Sequence, residues 1–173
     1  MNRDGFEEII TEYLKLVYNF VYRFVGDQAM AEDITQETFV KVWKNLKKFN
    51  QKQNFKTWIF TVARNTAIDW LRKKRNITFS ELDRNLEEGK ISFEENIVNL
   101  EPLPDEVFEK KELVQKLEKI LSQIHPDFRE IIILHHTEEM TFEEVARIVG
   151  KPVNTVKSQY RRALHQIRNL IRI

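Results

Sequence analysis

Three stretches of this 173-residue chain gather side chains that could do chemistry. "HHTEE", His135 to Glu139, collects groups able to bind a metal. Adjacent histidines point about 100° apart on a helix, however, and lack the i, i+4 spacing of a zincin. The chain has no Cys and no Gly-rich phosphate loop, which removes thiolate ligands, thiol nucleophiles and disulfides together. The expectation is a protein that is not an enzyme and carries neither metal nor cofactor.

The other two stretches are basic. From Gly150 to Ile167, "GKPVNTVKSQYRRALHQI" contains no carboxylate. Away from an apolar stripe it offers Thr155, Lys157, Ser158, Gln159, Arg161 and Arg162. These are groups a DNA major groove demands: Arg for guanine, Gln for adenine, Lys and Ser for phosphate. The alternative is an αα-hairpin with a solvated basic face. In "FKTWIFTVARNTAIDWLRKKR", Trp58, Thr61, Asn65, Asp69 and Arg72 recur at helical spacing, amid Lys56, Arg64 and "RKKR". Aromatic and amide groups among cations suit unstacked bases, each worth roughly 1 to 3 kcal/mol on an aromatic side chain. The alternative puts Trp58 and Trp70 in the core, with the basic end complementing the helix dipole. Asp69 is expected to pair with Arg72 or Lys73. A further helix carries Asp33, Gln36, Glu37 and Val40 on one face and turns basic at Lys41, Lys44, Lys47 and Lys48. Polar coverage explains such a face ordinarily; a protein partner at one end and DNA at the other is the functional alternative.

The elements that must position these groups are helical. Gly and Pro number only 4 each, too few for a sandwich of tight turns, so an all-α fold is expected. Phe6, Ile9, Ile10, Tyr13, Leu14, Val17, Phe20, Val21 and Phe24 recur at three- and four-residue spacing and predict a helix over Phe6 to Val25. A second follows Gly26-Asp27 to about Lys48 and buries Ala31, Ile34, Thr38, Val42 and Leu46. A third starts at Asn54, a competent N-cap, and runs to about Arg75 through Phe55, Ile59, Val62, Ala63, Thr66 and Trp70. "KFNQKQN" connects them. From Asn76 to Glu106 periodicity fails and Gly89, Pro102 and Pro104 interrupt, which reads as a flexible linker. Helical spacing returns over Val107 to Ile124 with Val114, Leu117, Leu121 and Ile124 on one face, and Pro126 starts a short helix. Thr141 and Glu144 form a capping box, Gly150 ends that helix, and Asn154 is placed to cap the last one. Its stripe is Val156, Tyr160, Ala163, Leu164, Ile167 and Ile171. With small Ala146 at the crossing, Phe142 to Gln166 has the helix-turn-helix pattern. Two small helical domains result: residues 1–76, a three-helix unit; 77–106, an acidic linker; and 107–173, a unit carrying the helix-turn-helix.

The formal net charge of +1 conceals blocks of opposite sign. Acids outnumber bases 8 to 3 up to Val40, bases lead 11 to 1 from Lys41 to Arg75, acids lead 9 to 2 to Glu106, and 7 bases stand without an acid from Val145 onward. Two basic blocks separated by an acidic one suit a chain that meets polyanion at two places. No apolar run approaches a membrane span and no basic-then-apolar leader opens the chain, so a cytoplasmic protein without membrane insertion is expected.

"AEDITQETFVKVW", then "FKTWIFTVARNTAIDWLRKKR", an acidic linker and "TFEEVARIVGKPVNTVKSQYRRAL" together resemble a bacterial RNA polymerase sigma factor of the extracytoplasmic-function (ECF) group. The resemblance implies promoter-specific initiation with core RNA polymerase and promoter DNA as partners, the minus-35 element as duplex and the minus-10 element as single strand, and an anti-sigma factor besides. It implies Asp33, Gln36, Glu37 and Val40 against the polymerase clamp helices. The connector Phe49 to Phe55, with Asn50 and Asn54 in it, and Asn65 would capture a base flipped from the minus-10 non-template strand. Trp58, Thr61 and Arg64 would line that strand, with Lys56 and Arg72 beside it. Thr155, Lys157, Ser158, Gln159, Arg161 and Arg162 would meet the minus-35 element. The chain departs from the family pattern at His135, often Arg; Glu139, often Gly; Asn154, often Gly; and Gln159, often Arg or Lys. The rival expectation is a stand-alone helix-turn-helix regulator that binds duplex DNA without polymerase.

Overall fold

The computed structural model describes residues 3–50, 52–81 and 116–171. Among them there are helices, turns and no strand. Helix α1, Arg3–Val25, and α2, Gln28–Asn45, form a hairpin about Gly26, whose φ of 73° favours a residue without a side chain. Asp27 then caps α2, its carboxylate accepting from the Met30 N–H at 2.8 Å. A 3₁₀ turn, Leu46–Lys48, leads into the polar connector. Asn54 caps α3, Phe55–Glu81, as expected: its Oδ1 accepts from Thr57 N–H at 3.2 Å.

The three helices meet on Val17, Phe20 and Val21 of α1, Ala31, Ile34 and Val42 of α2, and Ile59, Phe60, Ala63 and Ala67 of α3. The Phe20 and Phe60 rings lie 5.4 Å apart at the centre. Phe60 and Ala67 fall outside the stripe expected for α3, which buries a wider face because α1 and α2 both pack on it. Leu14, expected on the buried stripe of α1, is instead 45% exposed, and Leu46 is only half-buried. Helix α3 also continues past Asn76, where a linker was expected to begin, to Glu81. No Gly or Pro stands between Asn76 and Glu81, so nothing there stops a helix already propagating. The remainder of the acidic linker, and Val107 to Gln115 of the helix expected after it, lie outside the described residues.

Among the described residues of the C-terminal unit, α4 covers 116–122; Leu121 is buried on it and Leu117, expected inward, is exposed. Helix α5, Pro126–Ile132, carries Pro126 at its start and continues as one π-helical turn, Ile133–Thr137. The capping box of α6, Phe142–Val149, is fully formed, and Gly150 ends it in the left-handed conformation at φ 67°, ψ 33°. Helix α7 spans Val153–Ile171. It begins one residue before Asn154, so Asn154 is helical rather than the cap; the Pro152 carbonyl accepts the first turn's bond, from Val156 N–H. Proline preorganises that entry and leaves Asn154 no capping task. The α7 stripe holds at Val156 and Ala163, with Tyr160 and Ile167 half-buried, whereas Leu164 and Ile171 face solvent.

One apolar cluster runs from the three-helix core into Ile131, Ile133, Leu134, Met140 and Val145 of the C-terminal unit. Helix α3 lies against α6, and Arg129 of α5 donates to the Phe24 carbonyl at the end of α1 at 3.3 Å. Buried Arg129 also donates to the Ser122 and Ile124 carbonyls at 2.8 and 3.2 Å, tying α4, α5 and α1 together. No helix among the described residues is long and apolar enough to cross a membrane.

Candidate functional site

The strand-reading candidates cluster at the start of α3. Phe49, Phe55 and Trp58 form an aromatic triangle with ring centroids 4.9 to 5.5 Å apart, and Tyr13 of α1 meets Phe55 at 5.3 Å. All four rings are half-buried, so Trp58 combines both expectations: it packs on the core and still shows an edge. Tyr13 has its hydroxyl pKa pushed up to about 12 by burial, then by Glu12 beside it. Beside the triangle a broad groove is lined by Ile9, Trp43, Lys44 and Lys47, and Trp43 is 48% exposed. Asn50 folds its amide oxygen back onto Lys52 N–H at 3.0 Å. Thr61 donates to the Thr57 carbonyl. Asn65 and Arg72 are exposed, and Arg72 sits 3.8 Å from Asp69, the pairing expected from their spacing.

Three of these residues turn toward the C-terminal unit. Arg64 donates through Nε and Nη2 to the Glu130 carboxylate at 2.8 and 3.2 Å. Lys56 donates to the Glu138 carbonyl at 2.7 Å, and its Nζ lies 3.8 Å from that residue's carboxylate. The Asn54 amide donates to Glu144 at 3.2 Å. Burial raises the pKa of Glu130 against the pull of Arg64, and likewise raises Glu138 against Lys56 and Arg23. Glu144 is lowered, first by the Thr141 N–H it caps. These carboxylates were absent from the expected site. The Glu pairs of "TEEMTFEE" were visible in the sequence, but nothing marked Glu130 or joined any of them to α3.

On α2, Asp33, Gln36 and Val40 share an exposed face, Val40 at 49%. Glu37 is half-buried and already engaged, accepting from Lys41 at 2.8 Å and from the Trp70 indole N–H. Those bonds hold its carboxyl below the ordinary range. Next to this face, Leu14, Lys15 and Tyr18 of α1 join Glu32, Thr35 and Gln36 in an apolar groove, of which only Gln36 belonged to the expected patch. Nine apolar positions on one α1 exceed a single stripe, which was the available signal.

On α7, Thr155, Lys157, Ser158, Arg161 and Arg162 are exposed and Gln159 half-buried. Lys151 bridges Asp127 at 3.0 Å and the Gln159 amide oxygen at 3.4 Å. Lys157 lies over the Phe142 ring at 5.7 Å, and Ser158 donates to the Thr155 carbonyl. Among the described residues no three His, Asp or Glu side chains converge on one point as metal ligands would. His135 instead stacks on Phe142 at 4.2 Å, and His136 bonds the Tyr160 hydroxyl at 2.7 Å.

Family comparison agrees with this two-part geometry. Residues 9–77 match the model for sigma-70 region 2, and residues 114–167 match that for sigma-70 region 4. The ECF RNA polymerase sigma factor SigW of Bacillus subtilis is 29% identical over 99% of this chain and 91% of its own length. The sigma factor YlaC of the same organism is 25% identical over 94% and 89%. The sigma factor RpoE of Bartonella quintana, solved in complex with the anti-sigma factor NepR, superposes with a TM-score of 0.77 at 25% identity, covering 98% of both chains. The family consists of non-enzymatic regulators of transcription that bind core RNA polymerase and promoter DNA. With region 2 carrying α1 to α3 and region 4 carrying the helix-turn-helix, the chain belongs to the sigma-70 family as an ECF-type factor for promoter-specific initiation.

Proposed function

We propose that this sigma factor reads its promoter with two separate helices. Helix α3 and the connector before it take the minus-10 non-template strand as single-stranded DNA, with Asn65 on the edge of a flipped base and Trp58, Thr61, Lys56, Arg64 and Arg72 along the strand. Helix α7 takes the minus-35 duplex through Thr155, Lys157, Ser158, Gln159, Arg161 and Arg162. Asp33, Gln36, Glu37 and Val40 meet core polymerase. The observation that carries this is the pairing of an aromatic, amide-bearing basic helix with a carboxylate-free basic helix inside a helix-turn-helix. Opening then draws on binding energy alone, the protein itself catalysing nothing, and the setting is the cytoplasm. The division into units 1–76 and 107–173 around an acidic linker, and an anti-sigma partner of the kind bound by the Bartonella quintana factor, belong to the same proposal.

Run-off transcription with core polymerase, this protein and genomic promoters tests it: a core-dependent, sequence-selective transcript is expected. A stand-alone helix-turn-helix regulator would bind duplex DNA and yield none, and it leaves the region 2 match unexplained. Asn65→Ala should weaken binding of single-stranded minus-10 DNA by about 1 kcal/mol or more while leaving core binding intact. Equal loss of both would assign Asn65 to the fold.

A further inference from the structure

Asn65 is exposed on α3, and the residue after it, Thr66, is buried. Lys41 of α2 donates to the Thr66 hydroxyl at 3.1 Å while it pairs with Glu37 at 2.8 Å. One turn further along α3, the Trp70 indole N–H donates to the other oxygen of the same Glu37 carboxylate. Thr66 and Trp70, four residues apart, share one face of α3, so a single carboxylate of α2 ties that face down at two points. The Trp70 ring itself rests on the apolar cluster. Its N–H adds a direction that packing alone lacks, and a charged acceptor makes the bond one of the stronger kind. Asn65 and Asp69 each stand one residue before these anchors, about 100° round the helix. The Asn65 amide lies about 5 Å from the helix axis, so a roll of α3 by ~20° would carry it about 2 Å. Hydrogen bonds keep their heavy atoms within roughly 2.7 to 3.2 Å, and such a roll would break a bond to a base edge.

We propose that Trp70 is a positioning residue for strand capture: its bond to Glu37, with the Lys41 bridge to Thr66, sets the roll of α3 on α2 and so aims Asn65 at the flipped base. The inference rests on the assignment of Asn65 to the minus-10 strand. Trp70 itself touches no base. It acts through α2, whose exposed Asp33, Gln36 and Val40 are offered to core polymerase, so the helix that docks on polymerase also aligns the helix that reads the strand. Glu37, half-buried between the two, is the joint.

Trp70→Phe keeps an aromatic ring on the cluster and removes only the N–H donor. Holoenzyme assembled from core polymerase and the full chain is titrated with the fluorescein-labelled non-template strand of a promoter it transcribes, and core affinity is measured in parallel. Trp70→Phe should weaken strand binding about fivefold, because apparent affinity falls with the fraction of chains that hold α3 in place, while core affinity stays unchanged. Thr66→Val, which removes the second anchor, should act in the same direction and serves if Trp70→Phe does not fold. In a double-mutant cycle with Glu37→Ala, read on strand affinity at saturating core, the two losses should overlap, since groups in contact do not add. A bond that merely stabilises the fold would lower the urea midpoint and leave the strand affinity of the folded holoenzyme as it was. That outcome overturns the proposal, and so do additive losses in the cycle. Failure of the parent holoenzyme to capture strand overturns the assignment of α3 and this inference together; equal capture by parent, Trp70→Phe and Thr66→Val overturns the positioning role alone.

Discussion

Helices α3 and α7 are both basic, but they spend their charge differently. On α3, Arg64 is engaged by the Glu130 carboxylate and Lys56 by the Glu138 backbone carbonyl, 66 and 82 residues away in the chain. On α7, Arg161 and Arg162 are exposed and form no ion pair among the described residues. The difference fits what each helix is proposed to bind. A helix for duplex DNA needs a solvated cationic face ready for phosphates that are always displayed. A helix for unstacked bases needs aromatic and amide groups that are partly apolar, and an exposed face of that kind is normally covered in a stable monomer. Phe49, Phe55 and Trp58 gain such cover by packing on one another and on Tyr13, with Phe55 and Trp58 also resting on the apolar cluster.

The largest expected contrast is in stability. Arg64→Ala strands the buried Glu130 carboxylate without its partner, and should lower the unfolding free energy by about 3 kcal/mol. Arg162→Ala, an exposed charge without an ion pair, should change it by less than about 0.5 kcal/mol. Urea unfolding of both variants measures this; equal effects would erase the distinction between an engaged and a free basic helix. The second contrast is in reading. If Arg162 holds a guanine edge, Arg162→Ala should cost roughly 1 to 3 kcal/mol at that base pair and relax the preference there. A uniform loss across minus-35 sequences would make it a phosphate contact instead.

Much of α7 was legible because its determinants are local. The Thr141 and Glu144 box, Gly150 and the stripe through Val156 and Ala163 lie within one short segment, and periodicity with capping chemistry is enough to read them. The cationic and aromatic character of α3 was legible for the same reason. What α3's cations touch was not. Glu130 in "DFREIII" looks like an ordinary helical carboxylate until Arg64 arrives from the other unit, and periodicity carries no information about such a partner. Leu14 failed in the other direction: its spacing fits the buried stripe, but α2 and α3 do not reach around α1 far enough to cover it. The cap expected at Asn154 lies two residues earlier, because Pro152 already supplies the turn that a capping side chain would have supported.

Acidity should separate the two helices further. Glu130 faces Arg64 of α3, Lys151 before α7 and Asp127 of α5; Glu138 faces Lys56 of α3 and Arg23 of α1. Burial nevertheless raises both carboxyls above their ordinary pKa. The folded chain therefore holds protons that the unfolded chain releases. Its stability from these groups is fully present below the ordinary carboxylate range and is lost as pH rises through the raised values. The urea midpoint should thus fall from mildly acid toward neutral pH, and the Glu130→Gln, Glu138→Gln double variant, neutral throughout, should flatten that profile, whereas Arg162→Ala on α7 should leave its shape unchanged. Urea unfolding across this range measures it; a native profile as flat as the double variant's would remove the carboxylates from the account.

The smallest effect concerns the turn that presents Glu138 to Lys56. Glu139 follows it at φ 55°, the one positive φ on a residue other than Gly among those described. A side chain there costs roughly 1 to 2 kcal/mol, part of which Gly would give back as lost chain entropy on folding. Glu139→Gly should therefore raise stability by about 0.5 kcal/mol, read as a small increase in the urea midpoint. Because the backbone geometry is retained, the Lys56 bond to the Glu138 carbonyl should persist, and Lys56→Ala should cost as much in the Glu139→Gly background as in the parent chain. If it cost less, the relaxed turn would no longer be presenting that carbonyl to α3.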